Sequence, residues 1–213
     1  MSNNFKPLDI DSWVRKDHFN FYKNFDDPFY GVTTNVDVTI AKDFCVKNDI
    51  SFFSWYLHKC LCAVNEVESL RYRINENGEV LVHNTIDASS TINRPDGTFG
   101  FSYIEFNSSF DVFKENVQKE IDQVQNSKGL IPTNGNVNTI HFSALPWIHF
   151  TSLSHAMHSE FKDSIPKISV GKVLQQNDQL VMPVSIHVHH ALVDGSDLGK
   201  FYDYFQNHLN KTN

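Results

Sequence analysis

Residues 51–67 read SFFSWYLHKCLCAVNEV, a segment that is apolar on nearly every side. A helix of this kind, N-capped by Ser51, has no polar face to offer water and must lie buried inside the fold. Its surroundings must therefore supply apolar surface from several directions. The chain can do so: 40% of its 213 residues are apolar and 18 are phenylalanine. No repeat, low-complexity tract or linker divides it, so residues 1–213 are read as one domain.

The elements around this helix are mixed. VTTNVDVTI (residues 32–40) alternates in period two and predicts a strand with one buried face. RYRINENGEVLVHN predicts a hairpin about Asn77-Gly78. TFGFSYIEF (residues 98–106) alternates again, and NTIHFSALPW reads as a strand that breaks at Pro146. KISVGKVLQQNDQLVMPVSIHVHH predicts two strands with QQND at the tip. Two amphipathic helices complete the set: one places Phe110, Phe113, Val117, Ile121 and Val124 on one stripe. The other does the same with Leu198, Phe201, Tyr202, Phe205 and Leu209. Strict βαβ alternation is missing, so the expected class is α+β, a mixed sheet with helices packed on it.

Charge and cysteine usage narrow the partners. A net charge of −7 argues against nucleic acid or an anionic membrane as the main partner. No apolar run approaches the ~20 residues of a membrane span, and MSNNFKPLDIDSW lacks the basic-then-apolar order of a signal peptide. Cys45, Cys60 and Cys62 form no CxxC pair, which reads as reduced thiols in a cytoplasmic protein.

The residues most in need of a reason are the three histidines in IHVHHALVDG (residues 186–195). In an extended strand His187 and His189 share one face, while Val188 and His190 share the other. His187 and His189 could ligate a metal together, although no further ligand cluster accompanies them. They could equally be hydrogen-bonded strand residues. His190 differs, because it ends the strand four residues before Asp194-Gly195 opens a helix. A neutral imidazole at such a strand end can face a cleft and accept a proton. Gly195 suits a turn, and Asp194 can cap the helix or pair with a cation.

The pattern H-H-x-x-x-D-G resembles the signature of the trimeric chloramphenicol acetyltransferase family. SWVRKDHFNFY (residues 12–22) resembles that family's W-x-R-x-x-x-F-x-x-Y segment, and FSALPW (residues 142–147) its S-x-x-P-W strand. ISVGKVLQQNDQLVMPVSIHVHH resembles the strand pair that leads to the histidine, so the resemblance spans essentially the whole chain. It implies the CoA-dependent acyltransferase fold, acetyl-CoA as co-substrate, no permanently bound cofactor and no metal. It also implies a homotrimer with active sites between subunits and chloramphenicol as the acceptor, the reaction inactivating the antibiotic.

Residue by residue, the resemblance makes His190 the general base and Ser143 the oxyanion donor. Asp194 and Arg15 become a structural ion pair, with His187 and His189 as bystanders. Tyr22, Phe21, Phe99, Phe101 and Ser169 would line the substrate site, and Trp147 and Lys172 the coenzyme arm. The departures lie on the acceptor side. NRPDGTFGF (residues 93–101) stands where the family carries a polar H-x-E-T-E-T-F loop, and Phe101 where a small residue is common. His141 replaces an asparagine and Val173 an aromatic residue, while Gly31 and Gly100 are places where the pocket could widen. Alternatives are the same chemistry on a different hydroxylated small molecule, or a homologue that binds a ligand without catalysis. A dihydrolipoyl acyltransferase core would need a lipoyl domain and linker upstream, for which MSNNFKPLDIDSW leaves no room.

Overall fold

The computed structural model describes residues 4–130, 137–156 and 163–212. A short strand, β1 (Phe5–Pro7), and a short helix, α1 (Lys16–Tyr22), precede the first long strand, β2 (Phe29–Asp37). The expected strand over residues 32–40 stops early, because α2 (Thr39–Lys47) begins directly after it. Asp37 makes the change. Its Oδ1 accepts from the Thr39 N–H at 2.9 Å and the Thr39 hydroxyl at 2.6 Å, a local bond that turns the chain out of the ladder.

The apolar segment forms α3 (Phe52–Glu66), and the Ser51 hydroxyl accepts from the Ser54 N–H at 3.3 Å as its cap. Ten of its fifteen residues are buried, which makes it the central helix of the core. β3 (Tyr72–Ile74) and β4 (Val80–His83) form the expected hairpin, with Gly78 at φ +77° in its turn. β5 (Asp87–Asn93) carries little apolar patterning and was not anticipated, and β6 spans only Phe99–Phe101. After β6 the N–H groups divide: Ser102 and Ile104 donate to the Ser90 and Ala88 carbonyls of β5 at 2.9 and 2.8 Å, while Tyr103 donates to Glu120 Oε2 and Phe106 to Asp87 Oδ1, each at 2.8 Å. The expected strand over residues 98–106 is thus shortened to β6, and beyond it the pairing with β5 persists as the single bridge of Ala88 with Ile104.

α4 (Phe110–Gln125) is followed by β7 (Thr139–Leu145), β8 (Lys167–Gly171), β9 (Leu174–Gln176), β10 (Gln179–His189) and α5 (Gly195–Leu209). This second half follows the expectations except that the first strand of the expected pair is split after Gly171 into β8 and β9, both of which pair with β10. The main sheet runs β2-β10-β8-β7-β5-β6, with β9 pairing β10; β1-β4-β3 form a separate small sheet. β5, β7 and β8 are parallel neighbours and the remaining pairs are antiparallel, so the sheet is mixed and the class is α+β.

One face of the sheet is apolar. Val184, Ile186 and Val188 of β10, Ile168 and Val170 of β8, and Ile140 and Phe142 of β7 are buried in one cluster with Leu57, Leu61, Phe201 and Phe205. Tyr202 ties α5 to this face by donating to the Val184 and Val32 carbonyls at 2.9 and 3.0 Å. At the margin of the core Arg73 is fully buried and donates to the carbonyls of Leu70, Tyr72, Val137 and Thr139 at 2.6–2.9 Å. Burial pulls this guanidinium down to about 9, and the carbonyls are what keep a cation tolerable there. All three cysteines are unpaired, and burial pushes each thiol upward, which leaves them poor nucleophiles.

Candidate active site

The other face of the sheet is polar, and the strand register writes it out. Thr33 pairs with Ser185, Ser185 with Ser169, and Ser169 with Ser143, which lines up hydroxyls across β2, β10, β8 and β7. The adjacent row holds Gly31, His187, Lys167 and His141. Partners in register point to the same side of a sheet, so period-two alternation on these strands presents both rows together. On β6, Phe101 pairs with Thr91 and Phe99 with Asn93. Thr91 lies two residues beyond Ser89, the partner of His141, so Phe101 shares the face and the level of Ser143.

His190 sits in the turn after β10, where two tyrosines hold its ring. Tyr22 stacks on it at 4.0 Å and 17°, and Tyr30 packs at 4.4 Å and 41°. The side chain is 31% exposed while Nδ1 is enclosed, so the accessible edge carries Nε2. Nδ1 makes no hydrogen bond among the described residues, and Asp194 Oδ1, at 3.6 Å, is too far to form one. Asp194 instead pairs with Arg15 through Oδ2, and Arg15 Nη2 donates to the His190 carbonyl at 3.3 Å. The carboxylate thus anchors the turn and is not bonded to the imidazole.

The structure does not bring His190 and Ser143 together within one chain. His190 lies five residues along β10 from Ser185, about 16 Å at ~3.3 Å per residue, and Ser185 lies two strands, about 10 Å, from Ser143. Their separation is roughly 19 Å. One imidazole and one hydroxyl so placed cannot act on the same carbonyl.

Ser143 is half-buried and Ser169 fully buried, with His155 Nε2 3.5 Å from the Ser169 hydroxyl. His155 also meets His187 edge-on at 5.1 Å. Both rings border a cleft of about 230 Å³ whose other walls are Asp27, Phe29, Tyr30, Gly31, Ser154 and Lys167. Lys167 is held by Asp163 at 2.9 Å and lies 4.0 Å over the Phe29 ring. Burial pulls His155 down to about 4 and lowers His187 as well, so both present neutral imidazoles at pH 7.

Neither glycine widens the pocket. The His187 ring fills the space at Gly31, where a Cβ would stand 2.4 Å from it. At Gly100 the Arg94 guanidinium occupies the room, at 2.5 Å from such a Cβ. Arg94 binds the carbonyls of Val124, Phe99 and Gly129 at 2.7–2.9 Å and so fastens β6 to the end of α4.

Phe21 is 63% exposed and meets Tyr22 at 4.9 Å, beside the His190 stack. Trp147, 68% exposed, and Lys172 lie just beyond the C-terminal ends of β7 and β8, at the far end of the sheet from His190. Among the described residues no three potential metal ligands gather. Tyr30, His155 and Lys167 were not anticipated. The alternation of K-I-S-V would have placed Lys167 beside Ser169, whereas His155 comes from an irregular segment with no local signal.

A family model described as chloramphenicol acetyltransferase matches residues 3–206. Chloramphenicol acetyltransferase 3 of Escherichia coli is 27% identical over 205 residues, covering 95% of this chain and 96% of its own. The chloramphenicol acetyltransferase of Clostridium butyricum is 29% identical over 206 residues, covering 95% and 94%. A solved chloramphenicol acetyltransferase is similar with a TM-score of 0.89 at 30% identity, covering 96% of this chain and 99% of its own. The dihydrolipoamide acetyltransferase of Azotobacter vinelandii has a TM-score of 0.67 at 14% identity, covering 93% and 87%, a likeness of fold alone. The chain belongs to the chloramphenicol acetyltransferase family, as an acetyl-CoA-dependent O-acetyltransferase.

Proposed function

We propose that this enzyme moves the acetyl group of acetyl-CoA to a hydroxyl of chloramphenicol, inactivating the antibiotic. The acceptor oxygen attacks the thioester carbonyl carbon while His190 Nε2 takes the hydroxyl proton. The oxyanion of the tetrahedral intermediate accepts a hydrogen bond from the Ser143 hydroxyl, strengthened as charge develops. The C–S bond then breaks, and the imidazolium returns its proton to the CoA sulfur. Both substrates are held at once, so proximity replaces an acyl-enzyme. Tyr22, Phe21, Phe99, Phe101 and Ser169 serve the acceptor side, and Trp147 and Lys172 the coenzyme side. The Arg15–Asp194 pair keeps the turn of His190 in place.

The observation that carries this reading is the strand register, which puts His190 beyond the end of β10 and Ser143 two strands away on β7, on the order of 19 Å apart by ideal strand spacing. A base and an oxyanion donor this far apart become one site only across two copies. Three chains in a closed ring, each presenting its His190 to the open sheet face of the next, meet that need with heterologous contacts that close. We read the assembly as a homotrimer with its sites between subunits.

A second reading changes only the acceptor. The cleft beside Tyr30 is lined by Asp27, His155, Lys167 and His187, which favours a more polar hydroxylated molecule than chloramphenicol. Release of CoA thiol from acetyl-CoA separates the two. Release dependent on chloramphenicol supports the first reading, and release only with other alcohols the second. No release with any hydroxyl acceptor would sink both.

A further inference from the structure

The turn that carries His190 spends every backbone N–H from residue 190 to residue 194 on an identified acceptor. The His190 N–H donates to the Pro28 carbonyl at 2.9 Å. The Ala191 N–H donates to the ring nitrogen Nδ1 of His189 at 3.2 Å. Leu192 and Val193 both donate to the His189 carbonyl, at 2.9 and 3.1 Å. Asp194 donates to Asp197 Oδ2 at 3.3 Å. His189 therefore supplies the acceptor for three of the five. Any residue would offer the carbonyl, but only a side chain with a lone pair at this position can take the Ala191 N–H.

The ring has little freedom to do otherwise. His189 is 5% exposed and its ring meets Phe29 at 5.6 Å. Accepting a bond at Nδ1 requires the neutral tautomer protonated at Nε2, since an imidazolium has no lone pair. Burial pulls this imidazole down to about 4 and so preserves the acceptor at neutral pH. Ala191 is fully buried, and without this bond its N–H would have no partner.

We propose that His189 is a positioning residue for the reaction: its Nδ1 holds the Ala191 N–H and thereby fixes the turn that seats His190 between Tyr22 and Tyr30. The inference rests on the reading of His190 as the base. It replaces the bystander role expected for His189 with a specific geometric one. The two outer ties of the turn are Arg15 to the His190 carbonyl and the Tyr30 hydroxyl to the Val193 carbonyl at 3.4 Å. Neither reaches the Ala191 N–H, so neither can substitute for the ring.

Three variants of the full chain test this. Asn places Oδ1 at the same bond distance from Cα as Nδ1, Gln carries its oxygen one bond further, and Ala has no acceptor. His189→Ala should lower kcat about 10- to 100-fold, the scale of a misplaced catalytic group, with the KM for acetyl-CoA within about twofold. His189→Asn should recover most of that loss and His189→Gln should not. Wild-type kcat in His189→Ala would overturn the proposal. Should His189→Ala fail to fold, equal kcat values for the Asn and Gln variants, both melting as cooperatively as wild type, would overturn it as well. His190→Ala, run alongside, isolates the underlying reading. Wild-type turnover there would refute the base assignment, whatever the His189 series shows.

Discussion

The two faces of the central sheet are built from the same strands and do opposite work. On the helix-covered face, Val184, Ile186 and Val188 are fully buried against α3 and α5. On the other face the intervening residues are Ser185, His187 and His189, in register with Ser169 and Lys167 and, through them, with Ser143. A one-residue step along β10 moves from a position that holds the fold together to one that can do chemistry. The comparison teaches that stability and turnover should separate by parity within the strands, while His190 lies beyond the end of β10 and escapes that rule.

Substitutions can break that separation or sharpen it. The largest effect is expected at the proposed base: His190→Ala should slow turnover by ~10²–10⁴-fold. Steady-state kinetics beside a thermal melt would register the loss with the melt unchanged, and His187→Ala should cost far less. Next is the closed face. Ile186→Ala should cost about 2–5 kcal/mol in urea unfolding, with the kcat of the folded fraction retained. A stable but inactive Ile186→Ala would break the comparison outright. On the open face Ser143→Ala should reduce kcat by about 10²-fold with both KM values nearly constant. A change confined to the KM for acetyl-CoA would make Ser143 a coenzyme contact. The smallest effect belongs to the acceptor wall. If the Phe101 ring crowds the acceptor, as proposed, relieving it is worth about 1–3 kcal/mol, and Phe101→Ala should lower the KM for chloramphenicol by roughly 5- to 150-fold. An unchanged KM would show that the ring does not face the drug.

Legibility in the sequence follows the same division. Where a segment carries its own signal, as in the apolar α3 with its Ser51 cap, the stripes of α4 and α5 and the hairpin of β3 and β4, the element follows from hydrophobic pattern and turn chemistry. The alternation of residues 32–40 runs on into α2 because the pattern cannot register the two bonds that Asp37 makes to Thr39. β5 escaped because its buried Ser90 is paired with Ser102 across the ladder and is not apolar. At the site, the turn of His190 and its Arg15–Asp194 anchor are local or motif-bound and could be read. The His189 ring bond depends on the turn's conformation, and His155 reaches Ser169 from an irregular segment, so neither has a one-dimensional signature.

The central claim is that one active site takes its base and its oxyanion donor from different copies of the chain. Mixing His190→Ala and Ser143→Ala proteins after denaturation, refolding them together and assaying acetyl transfer tests it directly. Each variant alone is expected to be nearly inactive. Random reassociation in a closed ring should restore about a quarter of the sites to wild-type composition, with activity returning in proportion. No recovery in a mixture that has demonstrably exchanged subunits would contradict the claim.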